Sequence, residues 1–406
     1  MIYKKTHPWI TFNIDLKPAS PHLWLALGEA QSKCEHIAGI PLRPDTAEKL
    51  HRLYLAKGAF ATTAIEGNTL SEEEVLKSLD GTLHLPRSRE YLIKEIQNIL
   101  SAFGGVLEPI KKGEIVPLSS DLLAHFNSQI LSELAVGEDV IPGEIRKDSR
   151  VVGRYRCPPP EDCPYLVNEF CKWMNGTTFA TNAGNEIVYG IIKAIVAHIY
   201  FVWIHPFGDG NGRTARLLEL KFLMESGVPS DAAHLLSNYY NLTRTEYYRQ
   251  LDVASKSGGD LLPFIQYAVT GFVEQLKEQI DVIREQQIDV TWTNFVHTQF
   301  RNDNSNSGKR RRTLVLALSK ADKPVPKAQL SKLTADLAAD YAKKTPKTIS
   351  RDINALVEMD LIKLIEGGYK ARKNMIRAFL PIRKPTQQKK KRQKATDNRQ
   401  MLLFGD

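Results

Sequence analysis

From His205 to Arg216 the chain reads His-Pro-Phe-Gly-Asp-Gly-Asn-Gly-Arg-Thr-Ala-Arg. Gly208, Gly210 and Gly212 at alternate positions permit a tight backbone with positive φ, whose N–H groups can converge on an anion. A helix follows directly, and its first turn adds unpaired N–H groups and the positive end of a dipole. Arg213 and Arg216 lie three apart, so both guanidiniums project from one face and can grip phosphate oxygens. Asp209 offers a hard carboxylate suited to Mg²⁺ on a polyphosphate. His205 can accept a proton at neutral pH. Attack on phosphorus asks for this set: positioning, electrostatic neutralisation and one base for the nucleophile. Other readings fit less well. A P-loop needs Gly-Lys-Ser or Gly-Lys-Thr, which is missing here. A dinucleotide fingerprint follows a strand, whereas a helix precedes this loop. A plain glycine-rich turn between helices needs neither the histidine nor two arginines.

The segments around the loop must hold it in place. Glu186 to Ile204 is apolar nearly all round and reads as the central buried helix. A helix from about Arg213 to Glu225 carries the two arginines away from the loop. Helical spacing also runs through Leu50 to Ile65, Tyr91 to Phe103, Tyr165 to Met174, Arg244 to Ser255 and Leu261 to Gln287. Leu118 to Leu134 reads as an amphipathic helix opened by the Ser119-Ser120-Asp121 cluster. Between Arg146 and Pro160, two short β-prone stretches around Gly153, ended by a proline run, predict a hairpin. Arg301 to Gly308 is polar and reads as a linker.

Charge separates two regions. The 406 residues carry a net +9, yet Lys and Arg outnumber Asp and Glu 26 to 10 from residue 301 onward and are outnumbered 29 to 36 before it. The basic quarter points to polyanion contact by that part alone. The longest uncharged apolar run, Ala194 to Gly208, holds two histidines and is too short for a membrane span. The first residues lack a signal-peptide pattern, and Cys34, Cys157, Cys163 and Cys171 follow no common zinc spacing. A cytoplasmic protein with free thiols and no membrane partner is the expectation.

The loop resembles the H-x-F-x-[D/E]-G-N-G-R-x-x-R signature of Fic-domain proteins at every fixed position, and the likeness extends over roughly residues 50 to 285. Family members transfer AMP from ATP to a hydroxyl of a target protein. The resemblance implies that His205 deprotonates the attacking Ser, Thr or Tyr and that Asp209 holds Mg²⁺ on the phosphates. It also implies that Gly210, Asn211 and Gly212 surround the α- and β-phosphates, with Gly208 and Thr214 completing the ATP-binding loop. Arg213 would bind the phosphate chain, Arg216 the γ-phosphate, and Phe207 would anchor the loop. The hairpin is similar to the family's flap, which pairs with target backbone, so Val152, Gly153, Arg154 and Tyr155 would line the ATP site. Tyr247 falls where relatives have a nucleotide-contacting tyrosine, although Ser255 stands where some have asparagine. Relatives that phosphorylate tend to carry a bulky charged residue in the anion hole, which Gly210 and Gly212 leave open here.

Thr62-Thr63-Ala64-Ile65-Glu66-Gly67 is similar to the family's inhibitory helix, [S/T]-x-x-x-E-[G/N]. The resemblance implies that Glu66 pairs with Arg216, occupies the place of the γ-phosphate and lies in the ATP site; the same carboxylate can instead position a water for AMP removal. Farther on, Lys309 to Leu380 resembles a winged helix-turn-helix. Thr345 would cap and Pro346 would open its recognition helix, with Ile349, Ile353, Leu356 and Val357 buried and Lys347, Thr348, Ser350, Arg351 and Asn354 outward. The wing would be the Lys363 to Phe379 hairpin around Gly367-Gly368, in a stretch with alternation at Leu361 to Leu364 and then Met375 to Leu380. Such a module can read DNA in a major groove or dock a protein.

The expected protein is therefore mainly α: an N-terminal helical region with the inhibitory helix (1–110), a Fic-type helical core with a β-hairpin flap (111–287), a C-terminal winged helix-turn-helix domain (309–382) and a basic disordered tail (383–406). Its expected ligands are ATP, Mg²⁺ and a target protein hydroxyl, with DNA or a second copy of the chain as further partners. The rival reading is a DNA-binding regulator whose Fic site modifies its own chain or senses nucleotide. The tail carries the basic block Lys389 to Lys394 and the peptide Gln400 to Phe404, which is similar to sliding-clamp-docking motifs.

Overall fold

The computed structural model describes residues 1–180 and 184–376, so the tail and the end of the expected wing lie outside the described residues. The chain divides into two units, Met1–Ile280 and Asp281–Asp406.

In the first unit, α1 (Tyr3–Thr6), α2 (Pro21–Ala38), α3 (Pro44–Ile65), α4 (Glu72–Leu79) and α5 (Glu90–Lys111) precede the loop-bearing elements. Their starts follow local chemistry. Ser20 caps α2 ahead of Pro21, and Ser71 and Glu74 close a capping box on α4. Next come α6 (Ser120–Ile130), the flap strands β1 (Val151–Val152) and β2 (Tyr155–Arg156), and α7 (Cys163–Asn175). The expected hairpin is present as a two-residue ladder, Val151 opposite Arg156 and Val152 opposite Tyr155, turned by Gly153 at φ 59°. Helix α6 is capped by Ser119 as expected but ends at Ile130, short of Leu134.

Helices α8 (Glu186–Ile204) and α9 (Asn211–Glu225) pack along each other and flank the loop. Contrary to the sequence expectation, α8 is long and apolar enough to cross a membrane, the one such helix among the described residues. Most of it is buried inside the protein, wrapped by aromatic and aliphatic side chains, so it is the core helix of this unit. The remaining helices here are α10 (Ser230–Ala233), α11 (Leu235–Leu242) and α12 (Arg244–Lys256). Ala56 and Ile65 of α3 and Ile96 of α5 share one core with Ile195 of α8 and Leu218 of α9, so residues 1–110 and the loop-bearing helices fold together.

Helix α13 (Leu262–Gln299) extends past the expected Gln287. Its Trp292 and Val296, with Phe300 just beyond, belong to the second unit's core, so that unit begins before residue 309. The expected linker is also shorter than Arg301 to Gly308. Ser305 accepts the Gly308 N–H and starts α14 (Asn306–Ser319), in which Gly308 is buried. Then follow α15 (Lys327–Leu330), α16 (Ala335–Ala342), α17 (Pro346–Glu358), β3 (Ile362–Ile365) and β4 (Gly368–Ala371). Ile353 and Leu356 are buried as expected, but Val357 is exposed. The hairpin turns one residue before the expected Gly367-Gly368: Ile365 pairs with Gly368 across Glu366-Gly367, Met375 lies in a 3₁₀ turn, and residues 377–380 lie outside the described residues. Val325 bridges Tyr369 on the outer side of β4.

Candidate active site

His205 ends α8 in the left-handed conformation, φ 48° and ψ 58°, with its N–H on the Phe201 carbonyl. A non-glycine residue in this region carries strain, so neighbours must hold it there. Its ring Nδ1 lies 3.3 Å from the Val202 carbonyl, which can only accept. That bond assigns the proton to Nδ1 and leaves Nε2 free to take one. Burial pushes the His205 pKa down to about 4. The Val202 bond and Glu66 oppose this shift, while Arg146 and Arg150 add to it. The ring is therefore neutral from pH 5 upward, with Nε2 unprotonated. Imidazole resonances of His205 are expected to titrate with a midpoint near 4 by NMR; a midpoint above 6 would contradict the assignment.

Beyond His205 the loop is braced mainly by side chains. Asn211 accepts the Phe207 N–H at 3.0 Å and donates to the Phe207 carbonyl at 2.8 Å. Phe207 is buried against Phe201 and also bridges Ile145 at the flap's stem. Gly210 takes φ 74°, and a Cβ there would meet Asn127 and Leu131. Asn127 of α6 donates to the Asp209 carbonyl at 2.8 Å and accepts from the Gly143 N–H at 2.9 Å. Val140 leaves no room for a side chain at Gly208. Thr214 donates to the Gly210 carbonyl inside the first turn of α9. Helix α9 starts at Asn211, two residues before the expected Arg213, so Gly212 lies in that turn.

The two arginines serve separate carboxylates instead of forming one claw. Arg213 pairs with Glu95 of α5 at 2.5 Å and reaches Asp209 at 3.3 Å, while its Nε is buried with no partner among the described residues. Arg216, buried, donates to the Thr62 hydroxyl at 2.8 Å, the Thr62 carbonyl at 3.0 Å and Glu66 Oε1 at 2.6 Å. Glu66 is the C-cap of α3, and Gly67 at φ 104° turns the chain away. Its carboxylate sits against Gly212 so closely that a Cβ at 212 would collide with it. Burial raises the Glu66 pKa, but Arg216, helped by Arg213 and His205, outweighs this and holds it below the ordinary carboxylate range. Residues from positions 62 to 216 thus meet at one point.

Residues 117–223 match the model of the Fic/DOC family. The chain carries a Fic/DOC domain. The protein adenylyltransferase fic-1 of Caenorhabditis elegans is 31% identical over 208 residues, 51% of this chain and 38% of that protein. The protein adenylyltransferase Fic of Aedes aegypti is 29% identical over 210 residues, again 51% and 38%. The match thus spans under two-fifths of those relatives' length. A Fic family protein from Desulfovibrio desulfuricans shares the fold at a TM-score of 0.53 and 19% identity, covering 86% of this chain and 93% of its own. Fic-1 of C. elegans also superposes at 0.53, with 24% identity over 65% of this chain and 73% of that chain.

Around this Fic/DOC domain the remaining expected site residues take varied positions. Val152, Gly153 and Arg154 are exposed on the flap. Tyr155 differs: its hydroxyl donates to the Trp203 carbonyl at 2.9 Å and its ring meets His7 edge-on, so it anchors the flap to the core. Tyr247 is buried, stacked on Tyr240, with its hydroxyl 2.9 Å from His198 Nε2. Ser255 bonds the Asp252 carbonyl within its own helix.

Sequence reasoning missed Glu95 and Asn127. Each lies on the apolar stripe of its helix, Glu95 among Leu92, Ile96 and Ile99 and Asn127 between Leu123 and Ile130. A polar group on a buried stripe needs a partner, and that was the available signal.

Among the described residues no group of three His, Cys, Asp or Glu could hold a metal. A Mg²⁺ carried by a polyphosphate needs one protein carboxylate plus phosphate and water oxygens, and the exposed Asp209 carboxylate fits that pattern.

Proposed function

We propose that the domain transfers AMP from ATP to a Ser, Thr or Tyr hydroxyl of a protein, its own chain included, and that Glu66 restrains this transfer. The carrying observation is the fixed His205 tautomer, with Nε2 free, beside a glycine loop at the start of α9. His205 Nε2 takes the hydroxyl proton as the oxygen bonds to the α-phosphorus. The bond from that phosphorus to the α–β bridging oxygen breaks, and pyrophosphate leaves with the electron pair. Backbone N–H groups at the start of α9 offset charge developing on the phosphoryl oxygens. The unpaired, buried Nε of Arg213 is a donor that a phosphate oxygen would satisfy. Mg²⁺ bound at Asp209 would neutralise phosphate charge and orient the chain of phosphates.

Glu66 takes the second hydrogen of Arg216 Nη2, the same nitrogen that bonds the Thr62 carbonyl. A γ-phosphate and a carboxylate cannot share that guanidinium without like-charge conflict, so ATP is held away from its productive pose while Glu66 is in place. On the flap, Val151 and Val152 are exposed on a two-stranded ribbon whose outer edge is open to an extended target segment. The test is incubation of the full chain, Glu66→Gly and His205→Ala with α-labelled and γ-labelled ATP. Protein label from the α position alone, strongest in Glu66→Gly and lost in His205→Ala, is the expected result; label from the γ position means phosphate transfer instead.

For the second unit the reading is a winged helix-turn-helix that binds duplex DNA. Its support is a helix, α17, followed at once by a hairpin, and a surplus of positive charge. Lys347, Arg351 and Asn354 are exposed on α17, as is Lys363 on β3. Asp352 on the same helix is buried and bonded to Arg310, Arg311 and Tyr341, which fixes the helix's rotation. The full chain is expected to shift duplex DNA with an affinity that falls steeply with salt. Lys347→Ala with Arg351→Ala should weaken it by at least about 10-fold. Salt-independent binding, or no effect of the pair, would remove this reading.

A further inference from the structure

Arg146 lies just before the flap and is nearly fully buried. Its Nε donates to the His205 carbonyl at 2.7 Å. Nη1 donates to the Asp148 carbonyl at 2.5 Å, ahead of β1, and Nη2 to the Pro158 carbonyl at 2.6 Å, after β2. Nη2 also lies 3.3 Å from Cys163 Sγ. The Arg146 backbone N–H donates to the Pro206 carbonyl at 2.9 Å. One planar fork therefore ties both stems of the flap to the residue that ends α8. The left-handed backbone of His205 matters here, because it turns that residue's carbonyl out of the helix and into Arg146's reach.

We propose that Arg146 is a positioning residue that keys the flap to His205. It sets the separation between the backbone edge on which a target segment would pair and the Nε2 that takes the hydroxyl proton. Guanidinium geometry makes this work: three acceptors on separate segments need three donors in fixed directions, which an ammonium on a flexible stem does not supply. Loss of the fork leaves the nucleotide-binding loop intact, since Asn127, Asn211 and Glu95 brace it independently. It frees the His205 carbonyl and unties both stems of the flap from it, while Tyr155 and the Ile145–Phe207 bridge still hold the flap against the core.

This inference rests on the AMP-transfer reading, so its test starts from the full chain carrying Glu66→Gly. Arg146→Lys and Arg146→Gln are added, each leaving a donor in the buried position, and folding is checked by thermal unfolding. Two quantities are compared: ATP affinity by calorimetry, and the initial rate of α-label incorporation at saturating ATP. The expected result is a rate lower by about 100-fold in both variants with ATP affinity changed less than about threefold, because misplacement near the reacting atoms costs rate and not ground-state nucleotide binding. Arg146→Lys keeps the charge and should not rescue the rate. Rates within about threefold of the parent, or rate and ATP affinity falling in parallel, would overturn the proposal. A parent chain that incorporates no label at all would count against the transferase reading and not against Arg146.

Discussion

Glu66→Gly is expected to raise incorporation of α-label by roughly 10- to 100-fold, the range of a coupling of one to a few kcal/mol between two ligands of one site. The competing groups are explicit. Arg216 is buried and keeps two bonds to Thr62 whatever Glu66 does, so its guanidinium stays aimed at the same point after the carboxylate is gone. The freed hydrogen of Nη2 then meets the γ-phosphate. Stability should move in the opposite direction. Removing one partner leaves a buried cation less well compensated, a loss of about 1 kcal/mol once the one-third exposure of the Glu66 side chain is allowed for. The variant should thus melt slightly earlier and recover with ATP. The pair also has a pH signature: its contribution is intact above the ordinary carboxylate range and is lost as pH falls through the lowered Glu66 pKa. Acid therefore loosens the brake. Label incorporation that stays at the parent level in Glu66→Gly would refute it.

His205→Ala is expected to lower transfer by about 10²- to 10⁴-fold, the usual worth of a positioned general base. Nucleotide binding should survive, because His205 contributes neither an amide to the start of α9 nor a partner to Arg213 or Arg216. The double variant Glu66→Gly, His205→Ala separates the two roles: it should bind ATP as Glu66→Gly does and transfer about 10²- to 10⁴-fold more slowly than Glu66→Gly. Transfer in the double variant at the rate of Glu66→Gly alone would move the base elsewhere. With its pKa near 4, His205 is competent across the neutral range, and its own limb of a pH–rate profile lies at acid pH. Stability follows the same sign. The unfolded ring binds a proton from about 6.5 downward while the folded one resists it, so acid between those values favours unfolding.

Much of this site was legible in the residue string. The loop's glycines, histidine and arginines stand within twelve positions, and short-range chemistry decides what such a run can do. The Glu66–Arg216 pair could be read because Thr62 and Glu66 are one helical turn apart and both reach the same arginine. Local patterning also placed the hairpin and nearly all the long helices. It failed at ends and at rotations. Helix α13 outran its expected end because Trp292 and Val296 find a second core, and the hairpin after α17 turns one residue early, at Glu366-Gly367, where Gly368 pairs with Ile365.

By itself, then, the sequence determined the helical class, the set of side chains in the loop from 205 to 216, the carboxylate at 66 and the basic C-terminal quarter, since all of these rest on residue type and near spacing. Only the tertiary structure decided that Arg213 and Arg216 take different carboxylates, that Tyr155 and Tyr247 turn their hydroxyls inward, and that Arg146 holds the flap to the histidine. Those facts depend on which polar groups are buried together, and a buried donor takes whichever acceptor the packing brings near, however far away it lies in the chain.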